Sequence, residues 1–167
     1  SHNHSHYIYN SQFLNDGASY GVIKLPNESP IDGPFETVVN PADPIASPFG
    51  WHDTDGNIGP EFTITRGNNI YAREDDEGDN SQSGTDYSPE GGSSLNFNYN
   101  FDITGEPASY QDLSITNLFY TGNMVHDIWY NYGFDEQSGN FQENNYGNGG
   151  QGGDSVIADA QDGSGFN

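Results

Sequence analysis

Apolar and polar positions fall into three regimes along the chain. Up to about residue 105, short apolar clusters are broken by Gly, Pro, Asn and Asp, the pattern of short strands joined by long turns. The spacing predicts strands near residues 7–9, 20–25, 35–39, 62–65, 69–73 and 95–101. In the last of these Leu95, Phe97, Tyr99 and Phe101 alternate with Asn96, Asn98 and Asn100, so one face is buried and the other wet. Two acidic, turn-rich stretches, residues 51–60 and 74–94, are too polar to supply core.

The second regime, residues 106–134, is long and periodic enough for a helix over about 110–132. Ser109 and Asp112 have capping-box spacing, and Pro107 suits a helix start. Gly133 followed by Phe134 predicts a left-handed residue and a Schellman ending. On a helical wheel Ile115, Leu118, Phe119, Gly122, Val125, His126, Trp129 and Tyr132 form one broad face, read as a core stripe. Leu113, Tyr120, Met124 and Ile128 fall roughly opposite, so the helix is apolar on two sides and needs wrapping. Gly122, costly in mid-helix, predicts a close neighbour. In the third regime, residues 135–167, a Gly/Asn/Gln-rich irregular connection with a flexible glycine run precedes a short strand or turn near 155–161. The fold class expected is α+β, a strand-rich and loop-rich single lobe with one long central helix.

Charge narrows the partners. Against 25 acidic residues stand 3 basic ones, a net charge of -22. Such a chain repels nucleic acid and anionic membrane surfaces, and no run is long and apolar enough for a membrane span. The acidity suits a secreted protein, and the opening S-H-N-H-S-H, without a signal-type apolar region, fits a processed end. With no cysteine, stability comes from packing, ions or further protein.

Acidic turns make calcium a natural ligand. Asp75, Asp76, Glu77 and Asp79 surround Gly78, and Asp53, Asp55 and Asn57 form a weaker group; each is either a calcium site or a solvated loop. His126 and Asp127 lack the second helical ligand a zinc pair needs, so His126 is read as structural with Asp127 as a hydrogen-bonding group beside it. His2, His4 and His6 alternate, as in a weak site for a soft ion or a frayed terminus. Residues 147–153 are no phosphate cradle, since no Lys follows. Asn3 and Asn27 open N-x-S triplets of the sort that arise by chance.

From N-L-F-Y-T-G-N-M-V-H-D-I-W-Y-N-Y-G-F at residues 117–134 through D-S-V-I-A-D-A-Q-D-G-S-G-F-N at 154–167, the sequence resembles the fungalysin family of secreted zinc metalloendopeptidases. A-S-P-F-G-W-H-D at 46–53, T-R-G-N-N at 65–69 and G-G-S-S-L-N-F at 91–97 extend the likeness. The resemblance implies the N-terminal lobe of a thermolysin-like peptidase, one wall of a substrate cleft, with Phe166 and Asn167 at its lip against extended substrate. It implies zinc held by a second lobe through H-E-x-x-H and a further Glu, with the motif Glu activating the metal-bound water. These 167 residues contain no H-E-x-x-H, so no catalytic or zinc-ligating residue carries over. The expected cofactors are zinc outside this chain and calcium at Asp75, Asp76 and Asp79; the expected partners are the catalytic lobe and peptide substrates. The alternative is a non-catalytic, calcium-stabilised secreted binding or adhesion module, or a secreted cargo component.

Overall fold

A computed structural model describes residues 16–76, 78, 80, 87–100, 102 and 104–163. The long helix is α1, Gln111–Asn131. A 3₁₀ turn, Pro107–Tyr110, leads into it with Pro107 at its first position, where a missing N–H costs nothing. The capping box expected at Ser109 does not form. Ser109 lies inside that turn and its hydroxyl donates to the Glu106 carbonyl, while the α1 N-cap is Tyr110, with no side-chain cap. The helix end is as expected: Gly133 takes φ 98°, its N–H donates to the Tyr130 carbonyl, and the Phe134 N–H reaches back to Trp129, the double bond of a Schellman ending.

Two small sheets flank α1. The first is ordered β2-β1-β4, with β1 (Ser19–Ile23) antiparallel to β2 (Phe35–Val39) and parallel to β4 (Asn96–Phe97). The second pairs β3 (Ile70–Glu74) in parallel with β5 (Val156–Ala160), Ile70 opposite Val156 and Glu74 opposite Ala160. α1 packs against β1, β3 and β5, so one rod joins both sheets. The result is an α+β lobe with a single long helix.

Several expected elements change. Residues 62–65 form no regular strand, because the chain reverses just beyond them. Gly67 N–H donates to Ile70, Arg66 bridges Tyr71, and the Thr65 backbone carbonyl and hydroxyl both engage Ala72. The strand expected over 95–101 shrinks to β4; Leu95 sits in the left-handed region at φ 49°, and Phe101, like the strand expected at 7–9, lies outside the described residues.

The core is aromatic. Tyr20, Trp51, His52, Phe97 and Phe119 are all at most 1% exposed. The rings of Tyr20 and Phe97 stack at 5.4 Å, and those of His52 and Phe119 at 4.9 Å. Residues 51–60, expected to be too polar for core, thus supply two of its central rings, since Trp51 and His52 begin that stretch and turn inward. At the head of the second acidic stretch Glu74 and Asp75 are buried as well. Backbone donors make that possible: the Glu74 carboxylate accepts N–H bonds from Asp76 and Tyr87.

The wheel reading of α1 also needs correcting. Its buried residues are Leu113, Ile115, Thr116, Phe119, Tyr120, Asn123 and Asp127. Val125, Trp129 and Tyr132, assigned to the core stripe, are exposed. The buried Asn123 and Asp127 precede the exposed Val125 and Trp129 by two positions, and the stripe turns polar as it climbs, because the loops it holds present hydrogen-bond donors rather than apolar side chains. The close neighbour predicted at Gly122 is Ile70 of β3, whose Cδ1 would lie 2.4 Å from an added Cβ.

Candidate functional site: the open face of the long helix

The C-terminal half of α1 borders a groove of about 280 Å³ lined by Val125, His126, Trp129, Phe134, Phe141 and Val156, with Asn69, Ile70 and Gly122 completing it. Trp129 is 56% exposed, and Tyr132 on the next turn is 82% exposed. Val156 at the start of β5, 42% exposed, adds to this surface, and among the described residues β5 has a strand partner on one side alone. Apolar area of this extent beside an unpaired strand edge is a surface built for contact.

Behind the groove, Asp127 organises the polar interior. Its Oδ1 accepts from Ser47 Oγ at 2.7 Å and from His126 Nδ1 at 2.9 Å. Its Oδ2 accepts from Trp51 Nε1 at 2.9 Å and from the Asp43 N–H at 3.0 Å. Four donors satisfy a carboxylate that is 3% exposed, and they fasten residues 43–51 to the helix. His126 Nδ1 therefore carries a proton toward Asp127, and its Nε2 faces Asn140 at 3.4 Å. Both ring nitrogens are engaged within the chain, in keeping with a structural histidine.

The segment after α1 is irregular, as expected, but its glycine run is not a loose tether. Glu136, Asn140, Gln142 and Asn145 are buried. Glu136 accepts from the Tyr130 hydroxyl and from Asn148 Nδ2, both at 2.9 Å. Asn144 and Asn68 exchange bonds, Asn68 donating to the Asn144 carbonyl and the Asn144 N–H donating to Asn68 Oδ1. Gly150 is required by close approach, since a Cβ there would meet the Glu136 carbonyl oxygen at 1.9 Å. Side-chain amides do here what apolar contacts do in the aromatic core, a role that composition alone disguises as flexibility.

The expected site residues are placed unevenly. Asp75 is buried, its Oδ2 accepting the Asn80 N–H at 2.9 Å, while Asp76 is exposed. Asp79 and Glu77 lie outside the described residues, as do Phe166, Asn167 and the three N-terminal histidines. Asp53 and Asp55 are brought together, joined by Glu61 rather than by Asn57, which instead donates to Asp55. Glu61 escaped the sequence reading because it enters through a bend, its N–H bonded to the His52 carbonyl, and no fixed spacing announces that.

Among the described residues that trio is the sole group of side chains arranged to share a metal, and it is all carboxylate. Such oxygen donors suit hard cations, whereas zinc peptidase centres draw on imidazole. The described residues do not fit a catalytic zinc, and no reaction step is assigned to them.

The α+β lobe thus presents an open apolar helix face beside an edge of β5 that is unpaired among the described residues. Comparison with known proteins identifies its family. Residues 19–167 match the model of the fungalysin metallopeptidase family (M36), and the chain belongs to that family. It is 44% identical over 153 residues to extracellular metalloproteinase 5 of Trichophyton tonsurans, a match covering 90% of this chain and 24% of that protein. It is 43% identical over 152 residues to extracellular metalloproteinase 2 of Arthroderma gypseum, covering 90% of this chain and 23% of that one. The chain thus spans about a quarter of the length of the curated relatives it matches. No helix among the described residues is long and apolar enough to cross a membrane.

Proposed function

We propose that residues 1–167 act as the N-terminal lobe of a secreted, zinc-dependent endopeptidase and form one wall of its substrate cleft. Hydrolysis of internal peptide bonds is then carried out together with a second lobe that brings H-E-x-x-H and the zinc. The observation that carries this reading is the exposed apolar face of Val125, Ile128, Trp129 and Tyr132 on a helix whose other side is fully packed. A self-sufficient acidic lobe gains nothing from such a surface, while a covering lobe would remove it from water at about 25 cal/mol per Å² of apolar area. Secretion is supported by the relatives, which are extracellular metalloproteinases by name, and by the acidic composition.

Within this reading Phe166 and Asn167 line the cleft where the extended substrate backbone pairs with the chain. Calcium at Asp75, Asp76 and Asp79 is the second ligand proposed; Asp75 would offer an oxygen from a buried turn and Asp76 one from the surface.

The test compares casein cleavage by the 167-residue chain with cleavage by the product of the whole reading frame that encodes it. The expected outcome is chelator-sensitive activity in the long protein and none in the short one. Zinc-dependent cleavage by the short chain alone, or a reading frame without H-E-x-x-H, sinks the proposal.

A further inference from the structure

In the turn that follows Trp51 and His52, Asp53, Asp55 and Glu61 each place one carboxylate oxygen within 4.8 Å of the others. Clustered acids are common on an acidic surface; the buried member sets this group apart. Asp53 is 1% exposed. Its Oδ1 accepts from the Gly56 N–H at 2.9 Å and from the Tyr146 hydroxyl at 2.8 Å, whereas its Oδ2 is buried without any hydrogen-bond partner. An anionic oxygen withdrawn from water and left unpaired is costly, and native structures resolve that cost with a donor or a cation.

Among the described residues no lysine or arginine pairs with it. The chain has three basic side chains: Lys24 faces Glu36, Arg73 pairs with Asp159, and Arg66 lies over the rings of Phe62 and Tyr71. Burial raises the Asp53 pKa, and the charges of Glu61 and Asp55 add to the rise, as expected of carboxylates crowded together without a counterion. The other two acids are nevertheless held in place. Glu61 Oε2 accepts the backbone N–H groups of Thr54 and Asp55, and Asp55 accepts both the N–H and the side-chain amide of Asn57. With the Thr54 hydroxyl also donating to Glu61 Oε2, that carboxylate accepts three bonds and the Asp55 carboxylate two, so each carboxylate group keeps lone pairs for a cation.

The spacing selects among ions. Calcium binds oxygen at about 2.3–2.6 Å, so two ligands of one ion stand at most about 5 Å apart; magnesium, at about 2.0–2.1 Å, allows only about 4.2 Å. Oxygens within 4.8 Å of one another fit inside the span of calcium's ligands, and calcium's flexible coordination tolerates a trio held by backbone bonds better than magnesium's strict octahedron. We propose that Asp53, Asp55 and Glu61 hold a calcium ion, with the buried Asp53 Oδ2 as its innermost ligand. The ion would offset two of the trio's three negative charges and brace the turn after Trp51 and His52 against the segment after α1. That segment already reaches the turn through Tyr146 and through Asn144, whose Nδ2 donates to the Thr54 carbonyl at 2.9 Å. This site is separate from residues 75–79 and stands whether or not the chain belongs to an active peptidase.

The test is calcium titration of the metal-stripped protein, read by thermal unfolding, by bound calcium per chain and by terbium luminescence excited through the Tyr146 and Trp51 rings. Asp55→Asn and Glu61→Gln are the variants, both at exposed positions where folding is unthreatened. Calcium is expected to raise the unfolding temperature, magnesium at the same concentration to do so less. Each variant should weaken calcium binding tenfold or more, and the two combined should remove one bound calcium and the tyrosine-sensitised terbium signal. In chelator the same variants should unfold no earlier than the parent, since they relieve repulsion. Unchanged calcium count and terbium emission in the double variant, an equal response to magnesium, or variants that unfold earlier even in chelator would overturn the site.

Discussion

The two halves of α1 bury opposite kinds of side chain. In the first half the inward face includes Ile115, Phe119 and Tyr120, clustered with Tyr20, Trp51 and Phe97, and Leu113 and Thr116 are buried too. In the second half the inward face is Asn123 and Asp127, and the apolar residues Val125, Ile128 and Trp129 point away from the lobe. The first half closes a core by itself. The second fastens loops through hydrogen bonds and offers its apolar face outward. A helix can thus serve two masters along its length: propensity and Schellman ending make the rod, and the neighbours at each turn decide which side goes in.

Four measurements break or sharpen this contrast. The largest effect is expected from Phe119→Ala in the closed half, which opens a cavity against His52 and Trp51 and should cost about 3–5 kcal/mol in denaturant unfolding. Asp127→Ala attacks the polar half. It strands the Trp51 indole N–H, the Ser47 hydroxyl and the Asp43 N–H together, so a loss of about 3–4 kcal/mol is expected in the same experiment. A loss under about 1 kcal/mol would mean that the hub is decorative and the contrast false.

Protonation separates the halves without deleting contacts. Burial lowers the His52 pKa from 6.5 to about 4; its Nδ1 donates to the Arg66 carbonyl and its Nε2 accepts from the Tyr20 hydroxyl. Between those values the unfolded chain takes up a proton that the folded chain refuses. Stability therefore falls as pH drops from about 6.5 to about 4, by up to about 3 kcal/mol, and this contribution levels off below. Asp53 and Asp16, whose pKa values are raised by desolvation, act in the opposite direction. The difference between parent and His52→Gln across that range isolates the histidine, and parallel curves would refute the assignment.

The smallest effect is expected from Trp129→Ser. At 56% exposure the indole should cost less than about 1 kcal/mol to remove from this chain. In the whole protein the same change should cost about 2–3 kcal/mol if a second lobe covers the face. Equal costs in both would show that the open face stays open.

Much of the architecture was legible in the residues. Gly133 before Phe134 announced the end of α1, the apolar clusters beginning at Tyr20 and Phe35 between turn residues announced β1 and β2, and the motifs around Trp51, Asn69 and Trp129 announced the family, which the match over residues 19–167 establishes. The capping box at Ser109 failed because Pro107 started a 3₁₀ turn early and left the serine inside it. The helix wheel failed in its upper half because hydrophobicity was equated with burial. That rule holds when one core meets the whole helix and breaks when a polar hub replaces it.

By itself, then, the sequence determined the α+β class, the position and ending of the long helix, the acid excess and the family. These depend on neighbours in the chain, on short-range periodicity or on motifs, all of which are local. Only the tertiary structure decided that Trp51 and His52 enter the core from an acidic stretch, that Asp127 gathers three donors from distant residues, and that Glu61 joins Asp53 and Asp55. Each of those depends on which segments meet in space, where a hydrogen-bond donor or a buried carboxylate finds its partner at a separation in sequence that no local pattern records.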